Sequence, residues 1–352
     1  MPQSQLDRQL NRFSRSTSGW LSAAATARRG LNGGWRGRIA VAQVARALCG
    51  VLLAAGAAAG AGAEAGAGAA ARASAGPAVQ TAAAAPTGVE AGTLEVAGGK
   101  LYYEVAGHGP ALVLVHDGLL HSVTWGEQFE AFARGYRVVR YDRRGYGRSP
   151  AATAPYSNVE DLLALFSALA IDRAAVVGCS AGGGLAIDFT LAHPERVRAL
   201  VLVGAVVGGL PYSDHFLTRG GRLPATPQPQ ELKSAIEYWA VSDPYYVAAD
   251  HRQIKERVKA LFEANPQNFR HPDRFQQHPP GSPLAQLPAI HAPTLIVVGE
   301  NDIPDVHAHA GAIQAGIAGA QRIVVRDAGH LVHLEQPQLF NSLVFDFLKA
   351  QR

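Results

Sequence analysis

One pattern repeats through the chain: a short apolar run without polar alternation, followed by a segment long enough for a helix. The clearest runs are 111–116 (ALVLVH), 174–180 (AAVVGCS), 197–205 (VRALVLVGA) and 294–300 (TLIVVGE). A strand covered on both faces has no polar alternation, and parallel strands require long connections that are usually helical. The pattern therefore predicts an α/β fold, in which a mostly parallel sheet is flanked by helices.

Further segments complete this sheet. The runs 137–142 and 321–327 predict two more strands, and the two alternating runs of 93–107, on either side of Gly98-Gly99, predict a hairpin. Helices are predicted around 125–134 and at 158–170, 182–192, 306–317 and 337–350. Strands and helices thus alternate along the chain with one interruption.

The interruption is a long polar, Pro-rich stretch at 206–290. It contains two segments that are typical of helices, 234–241 (SAIEYWAV) and 251–264 (HRQIKERVKALFEA). It follows a strand at the edge of the sheet where α/β folds place their ligands. We interpret 206–290 as an inserted helical cap over a site; the alternative is a surface excursion that contacts no ligand.

The first 86 residues differ in charge from the rest. Residues 1–90 carry nine Arg and three acidic residues, whereas residues 91–352 carry 23 Lys or Arg and 25 Asp or Glu. The net charge of +4 therefore comes from this leader, and the body is nearly neutral. Because nucleic-acid binding requires a basic face on the folded part, we expect no nucleic-acid partner.

The leader, 1–86, resembles a secretory signal. A basic region is followed by an uncharged run at 47–63 and then by small residues up to about Pro86. The run is too short and too rich in Ala and Gly for a stable membrane span. We expect export to the periplasm or the medium; the alternative is a cytoplasmic protein with a disordered tail.

Cysteine and metal-ligand patterns exclude several kinds of site. The two cysteines, Cys49 and Cys179, cannot form a disulfide framework or a multi-cysteine metal site. The His and acidic residues show no metal-ligand spacing such as H-E-x-x-H. We therefore expect no metal centre.

The sequence Gly178-Cys179-Ser180-Ala181-Gly182 has the form G-x-S-x-G, with a predicted strand before it and a predicted helix after it. In that context the central residue lies on a sharp turn at the top of the sheet, and glycine at both ends relieves the crowding. The central residue is Ser180, which we predict to be the nucleophile. Cys179 precedes it, and we expect its thiol to be buried as packing.

A serine nucleophile needs a base and an orienting acid. Of the thirteen histidines, His330 lies in the loop directly after the last strand, and His333 is a nearby alternative. Asp302 lies just beyond the strand 294–300 and is the predicted acid; the alternatives are Asp305, which fits a helix cap, and Glu300. The order Ser, Asp, His is the one expected for this arrangement.

An acyl-transfer site also needs hydrogen-bond donors for the oxyanion. We predict the backbone N–H of Ala181 as one donor. The second should come from the loop after 111–116, with Gly118 as first choice and Leu119 as second. His116 is expected to anchor this loop rather than to act as a base.

Together these segments resemble the α/β-hydrolase fold superfamily over about 93–350. The motifs that carry the resemblance are VHDG (115–118), YDRRGYGRS (141–149), GCSAGG (178–183), GEND (299–302) and AGH (328–330). The stretch 178–205 is similar to the branch that contains enol-lactonases, arylesterases and proline iminopeptidases.

The resemblance implies an α/β-hydrolase domain at 87–352, with Ser180 as nucleophile, Asp302 as acid and His330 as base. It also implies a helical cap and no cofactor. The chain departs from the usual pattern at Asp117, which stands where the oxyanion loop normally has Gly directly after His. The second departure is Ala181, where Met, Leu or Gln is common.

We predict a serine hydrolase that cleaves an ester or lactone of a small molecule. An amide hydrolase of the iminopeptidase type or a carbon–carbon hydrolase could use the same triad, and an iminopeptidase would need acidic cap residues to hold the substrate amine. A non-catalytic ligand-binding protein is a third alternative. The predicted pocket residues are Trp125, Tyr238 and Trp239, which could equally pack the cap onto the body.

Overall fold

The computed structural model describes residues 88–351, except for 222, 225–226 and 271. The predicted leader, 1–86, lies outside the described residues, together with its signal-like run. Within the described part of the chain, no helix is both long enough and apolar enough to cross a bilayer.

Eight strands form one sheet, in the order β1-β2-β4-β3-β5-β6-β7-β8. The strands are β1 (Glu90–Val96), β2 (Gly99–Ala106), β3 (Ala111–Val115), β4 (Arg137–Tyr141), β5 (Ala174–Cys179), β6 (Val197–Val203), β7 (Thr294–Gly299) and β8 (Gln321–Val325). The β1–β2 hairpin and the β2–β4 pair are antiparallel, and the remaining neighbours are parallel. The predicted mostly parallel sheet is confirmed.

Helices cover both faces of this sheet. The α-helices are α1 (Gly126–Phe132), α2 (Asn158–Ala168), α3 (Ala181–Ala192), α4 (Asp214–Thr218), α5 (Pro229–Glu237), α6 (Arg252–Ala264), α7 (Pro283–Gln286), α8 (Pro304–Gly316), α9 (Val332–Glu335) and α10 (Pro337–Ala350). Every residue of β5 and β7 is buried, as the unbroken apolar runs predict. Alternate residues of β5 enter different clusters: Val177 and Cys179 lie in one core, Ala174 and Val176 in the other.

The stretch between β6 and β7, residues 204–293, contains α4 to α7; we call it the insertion. The predicted helix at 234–241 differs in detail, since α5 ends at Glu237 and a π-helical turn continues over Tyr238–Ser242. The N–H of Asp243 donates to the carbonyl of Tyr238 at 2.8 Å and closes this wider turn. Asp243 is itself extended because it precedes Pro244, which disfavours helical backbone.

The turn from β5 into α3 is a close crossing of backbone segments beside the candidate site. A Cβ atom on Gly178 would collide with the backbone of Gly182, and one on Gly182 would collide with the carbonyl oxygens of Val115 and His116. The glycines therefore allow β5, α3 and the end of β3 to approach at backbone distance, as the G-x-S-x-G spacing predicts.

Gly182→Ala is therefore expected to lower the free energy of unfolding by about 1–3 kcal/mol, because the backbone carbonyls around it cannot move aside. Gly311→Ala is the matched control, since Gly311 also lies inside a helix but its Cβ would meet nothing closer than 3.5 Å. The control should be neutral or slightly stabilising, because Ala is the better helix former. Urea denaturation measures both; equal stability of the two variants would contradict the steric argument.

Candidate active site

Ser180 lies at the carboxyl end of β5, directly before the first residue of α3. Its backbone has φ 53° and ψ −118°, a conformation that residues other than glycine rarely adopt. Backbone hydrogen bonds hold it there: the N–H of Ser180 donates to Val203 O at 2.8 Å, and Ser180 O accepts from the N–H groups of Gly184 at 3.0 Å and Val206 at 3.5 Å. The side chain is half-buried. The strained turn and its position at the sheet edge are typical of a nucleophile elbow.

Cys179 is fully buried in the core cluster that also contains Val177 and Val203. Burial raises the pKa of its thiol well above the ordinary value, and the charges of Asp117 and Asp302 raise it further. The thiolate form, which is the reactive one, is therefore suppressed. The structure places the thiol in packing, as expected from its position before Ser180.

Asp302 and His330 lie together at the same edge of the sheet. His330 Nδ1 donates to Asp302 Oδ2 at 2.8 Å, and the two side chains are 7% and 0% exposed. Asp302 Oδ1 also accepts from the N–H of Ile303 at 2.7 Å, so both carboxylate oxygens are fixed. With the proton on Nδ1, Nε2 is left with a free lone pair. The geometry gives an oriented imidazole that can accept a proton.

Burial and nearby charges shift the pKa of His330 in opposite directions. Burial lowers the pKa of the imidazole, but the charge of Asp302 and its hydrogen bond outweigh burial, so that the pKa is raised above 6.5. Asp117 contributes in the same direction, whereas Arg219 lowers the pKa. The protonated form of His330 is thus stabilised by carboxylates on two different loops.

Gly204, directly after β6, is a site residue that the sequence analysis missed. Its φ is +50°, and a Cβ atom there would lie 2.9 Å from His330 Nδ1 and 3.1 Å from Asp302 Oδ2. The Asp302–His330 pair therefore occupies space that any other residue at 204 would fill. The sequence offers only a glycine after a buried strand as a signal.

The alternative acids and base are engaged elsewhere. Asp305 accepts from Ser213 N–H at 2.6 Å and from Ser213 Oγ at 2.8 Å, and Glu300 is exposed. His333 is fully buried and stacks on Trp125 with ring centroids 4.1 Å apart. Burial, together with the nearby His330 and Arg257, lowers the pKa of His333 to about 3.

The loop after β3 holds the predicted second oxyanion donor. His116 Nε2 accepts from the N–H of Arg143 at 3.0 Å, so Nδ1 carries the proton and donates to Asp117 O at 2.8 Å. Burial lowers the pKa of His116 well below 6.5, and the ring stays neutral. The structure thus places His116 as an anchor between two chain segments, which is the role expected from the sequence.

The two predicted donors in this loop have different surroundings. The N–H of Leu119 donates to Asp117 Oδ2 at 3.3 Å and is therefore engaged. Gly118 lies beside Ala181, since a Cβ on Gly118 would be 3.4 Å from the Ala181 Cβ, and its carbonyl accepts from Tyr146 Oη at 2.9 Å. Of the two, Gly118 is the residue next to the start of α3.

A cavity of about 490 Å³ opens beside this loop. Gly118, Leu119 and Trp239 are among its lining residues, whereas Ser180 and His330 are not. A second cavity of about 400 Å³ is lined by Tyr238 and shares Gly220 and Leu223 with the first.

Trp125, the third predicted pocket residue, lies in the core and does not line either cavity. Its indole ring is fully buried and packs against His333 and Phe340. Among the residues that the structure describes, no group of three or more His, Cys, Asp or Glu is placed to hold a metal ion.

Comparison with known families agrees with this geometry. The model of the alpha/beta hydrolase family matches residues 112–343. The chain belongs to the α/β-hydrolase family. The fold and superfamily expected from the sequence motifs are confirmed. The curated relatives of the chain are hydrolases, and the protein is therefore a hydrolase.

Two curated relatives and one solved structure illustrate the kinship of this α/β-hydrolase. It is 35% identical to a 2-hydroxy-6-oxononadienedioate/2-hydroxy-6-oxononatrienedioate hydrolase of Klebsiella pneumoniae, over 61% of this chain and 77% of that protein. It is 28% identical to a 2-hydroxy-6-oxo-6-phenylhexa-2,4-dienoate hydrolase of Comamonas testosteroni, over 71% of this chain and 92% of that protein. The structure of Est816, an N-acyl homoserine lactone degrading enzyme, matches 73% of this chain and 100% of its own, with 29% identity and a TM-score of 0.60.

Gly204→Ala is expected to separate His330 from Asp302, because the new methyl group would overlap both side chains. Gly319→Ala is the control, since Gly319 also has a positive φ (+74°) but open space around it. Both variants carry the backbone strain of about 1 kcal/mol or more, and only Gly204→Ala should lose the downfield Nδ1 proton signal of His330 in NMR spectra. Retention of that signal in Gly204→Ala would contradict the assignment of this contact.

Proposed function

We propose that this α/β-hydrolase cleaves an ester or lactone of a small molecule through an acyl-enzyme on Ser180. The observation that carries the proposal is the oriented Asp302–His330 pair, with its 2.8 Å hydrogen bond, at the same sheet edge as the strained Ser180 turn. This is the combination of nucleophile, base and orienting acid that acyl transfer requires.

In the proposed mechanism, His330 Nε2 takes the proton of Ser180 Oγ while Oγ attacks the substrate carbonyl carbon. The carbonyl oxygen becomes an oxyanion and accepts hydrogen bonds from the N–H groups of Ala181 and Gly118. The intermediate collapses, the bond to the leaving oxygen breaks, and the imidazolium returns its proton to that oxygen. A water, deprotonated by His330, then attacks the acyl-enzyme and releases the acid and Ser180.

The start of α3 supports this charge distribution. The helix runs over 12 residues from Ala181 and has its N-terminus at the proposed oxyanion site. The positive end of its dipole favours negative charge there, by about 0.3–1 kcal/mol for an ordinary terminus. The protonated form of His330 is stabilised by Asp302 at the same stage of the reaction.

We further propose that the insertion is a cap that selects the substrate. It provides Trp239 to the cavity beside Gly118, and Asn268 Nδ2 donates to Leu119 O at 3.0 Å, so the insertion contacts the oxyanion loop directly. A cavity of about 490 Å³ is in the range of small-molecule sites.

An iminopeptidase-like amide hydrolase is less well supported, because three acidic residues of the insertion are already engaged. Asp243 Oδ2 lies 3.0 Å from Arg219 Nε, Glu237 pairs with Lys259 at 2.7 Å, and Glu231 accepts from Gln228 N–H. Carboxylates in such pairs are compensated and offer little to a substrate amine.

Carbon–carbon bond hydrolysis is the second candidate, and the two curated relatives favour it. Both are hydrolases of 2-hydroxy-6-oxo acids, compounds without an ester bond in which hydrolysis must break a carbon–carbon bond. The same nucleophile and base would attack the 6-oxo carbon. The similarity to Est816, a lactone-degrading enzyme, favours the ester or lactone reaction.

The test compares the full chain on four substrates: a short and a long p-nitrophenyl ester, an N-acyl homoserine lactone, and 2-hydroxy-6-oxo-6-phenylhexa-2,4-dienoate. We expect hydrolysis of an ester or the lactone, with kcat reduced by about 10³-fold or more in Ser180→Ala. Cys179→Ala is the control at the neighbouring residue. It should keep most of the activity, because the thiol of Cys179 is buried in the core.

Turnover of the dienoate alone would replace the ester proposal with the carbon–carbon reaction on the same triad. Loss of activity in Cys179→Ala with retention in Ser180→Ala would refute the nucleophile assignment. Binding of these compounds without turnover in the wild type would point to the non-catalytic alternative.

A further inference from the structure

A short turn of the insertion, Asp243–Ala248, connects two loops of the proposed site. Tyr246 Oη donates to Asp117 Oδ2 at 2.5 Å, which ties the turn to the loop after β3. The carbonyl of Tyr245 accepts from the N–H of His330 at 2.8 Å, which ties the same turn to the loop after β8. The oxyanion loop and the histidine loop are thus bridged by two consecutive residues.

Asp117 is the centre of the first contact. Its side chain is buried, and its two oxygens accept from Leu120 N–H at 2.9 Å, from Leu119 N–H at 3.3 Å and from Tyr246 Oη. Three donors compensate a buried carboxylate and fix the backbone of the loop that carries Gly118. Asp117 is also the residue at which the sequence departs from the usual His-Gly pattern.

The turn itself is held rigidly. Asp243 Oδ1 accepts from the N–H groups of Tyr245 and Tyr246 at 2.9 and 2.7 Å. At its other end, Ala248 N–H donates to Glu335 Oε2 at 2.8 Å, and Glu335 also accepts from Gly329 N–H at 3.0 Å. A displacement of Tyr246 would therefore be transmitted to the residue before His330.

We propose that Asp117 is a positioning residue of the active site. Its buried carboxylate holds the oxyanion loop against Tyr246 and adds a second negative charge, beside that of Asp302, to the surroundings of His330. The proposal rests on the proposed function, since it assigns His330 as the base. Asp117 touches no reacting atom; it acts through the loop, through Tyr246 and through its field.

The groups that face His330 come from several parts of the chain: Asp302, Asp117, Arg219, Tyr246 and His333. Arg219 opposes the carboxylates, but its Nε lies 3.0 Å from Asp243 Oδ2, and this ion pair weakens its effect. Burial, with Asp117 next, raises the pKa of Tyr246 well above 10, so that its hydroxyl stays protonated and donates. Burial keeps His333 neutral.

The sign of the pH effect follows from these charges. His330 must be neutral to accept a proton, so kcat/KM falls as the pH drops through the pKa of His330, which is raised above 6.5. Asp117→Asn keeps the shape and an acceptor oxygen but removes the charge. In a plot of kcat/KM against pH, the fall on the acidic side (the acid limb) should therefore move to lower pH by about half a unit or more.

Two further variants separate charge from position. Tyr246→Phe removes the hydroxyl and leaves the charge of Asp117, so kcat should fall by about tenfold or more while the acid limb does not move to lower pH. Glu335→Gln is the matched control, because it removes a different buried carboxylate that accepts a hydrogen bond from the same turn. Since the main charges acting on the pKa of His330 are those of Asp302, Asp117 and Arg219, replacement of Glu335 should leave the acidic side of the pH profile in place.

The experiment measures kcat and KM against pH for the wild type and the three variants, together with NMR titration of His330 in histidine-labelled protein. The signal is assigned by its absence in His330→Gln. Because the titration does not require turnover, it remains informative if the proposed function fails. Thermal melts show whether each variant is folded.

A lower titration point of His330 in Asp117→Asn, unchanged in Glu335→Gln, is the supporting result. The same titration point in Asp117→Asn and wild type would overturn the electrostatic role, and unchanged kcat in folded Tyr246→Phe would overturn the positioning role. If Tyr246→Phe does not fold, the Asp117→Asn titration alone decides. The wild type could show no Ser180-dependent turnover while the titration point of His330 still shifts in Asp117→Asn. That result would refute the proposed function, and the electrostatic effect of Asp117 on His330 would stand.

Discussion

The site depends on backbone segments that approach one another more closely than a Cβ atom allows. Gly178 and Gly182 permit β5 and α3 to cross, and this crossing places Ser180 at positive φ. Gly204 leaves room for the Asp302–His330 pair, and a Cβ on Gly299 would collide with the carbonyls of residues 328 and 329. Glycines at the ends of three neighbouring strands thus set how tightly the catalytic loops converge.

Within this crowded edge, buried carboxylates organise the loops. Asp302, Asp117 and Glu335 each accept main-chain N–H groups of their own or a neighbouring loop. A buried carboxylate without such donors would be costly, and the same donors lose conformational freedom when they bind it. Each acid therefore stabilises one loop conformation, and two of them also raise the pKa of His330.

Local patterns predicted the fold and much of the arrangement of the candidate site, because strand, turn and helix signals extend over only a few residues. The apolar runs gave the sheet, and the position of Asp302 and His330 after their strands brought them to one edge. The link between Asp117 and Tyr246 could not be predicted, since 129 residues separate the two and neither lies in a periodic pattern. Gly204 was missed for a similar reason: its constraint comes from side chains on two other loops.

The insertion contacts the catalytic loops as well as the cavity, and this has a consequence for specificity. Asn268 binds the carbonyl of Leu119, Tyr246 binds Asp117, and Tyr245 binds the N–H of His330, while Trp239 lines the cavity. A change in the insertion that alters the cavity would therefore also shift the loops that carry the proposed oxyanion donor and the proposed base. Under the proposed function, substrate selection and catalytic geometry are therefore coupled mechanically, and a shared fold with a different insertion need not give the same reaction.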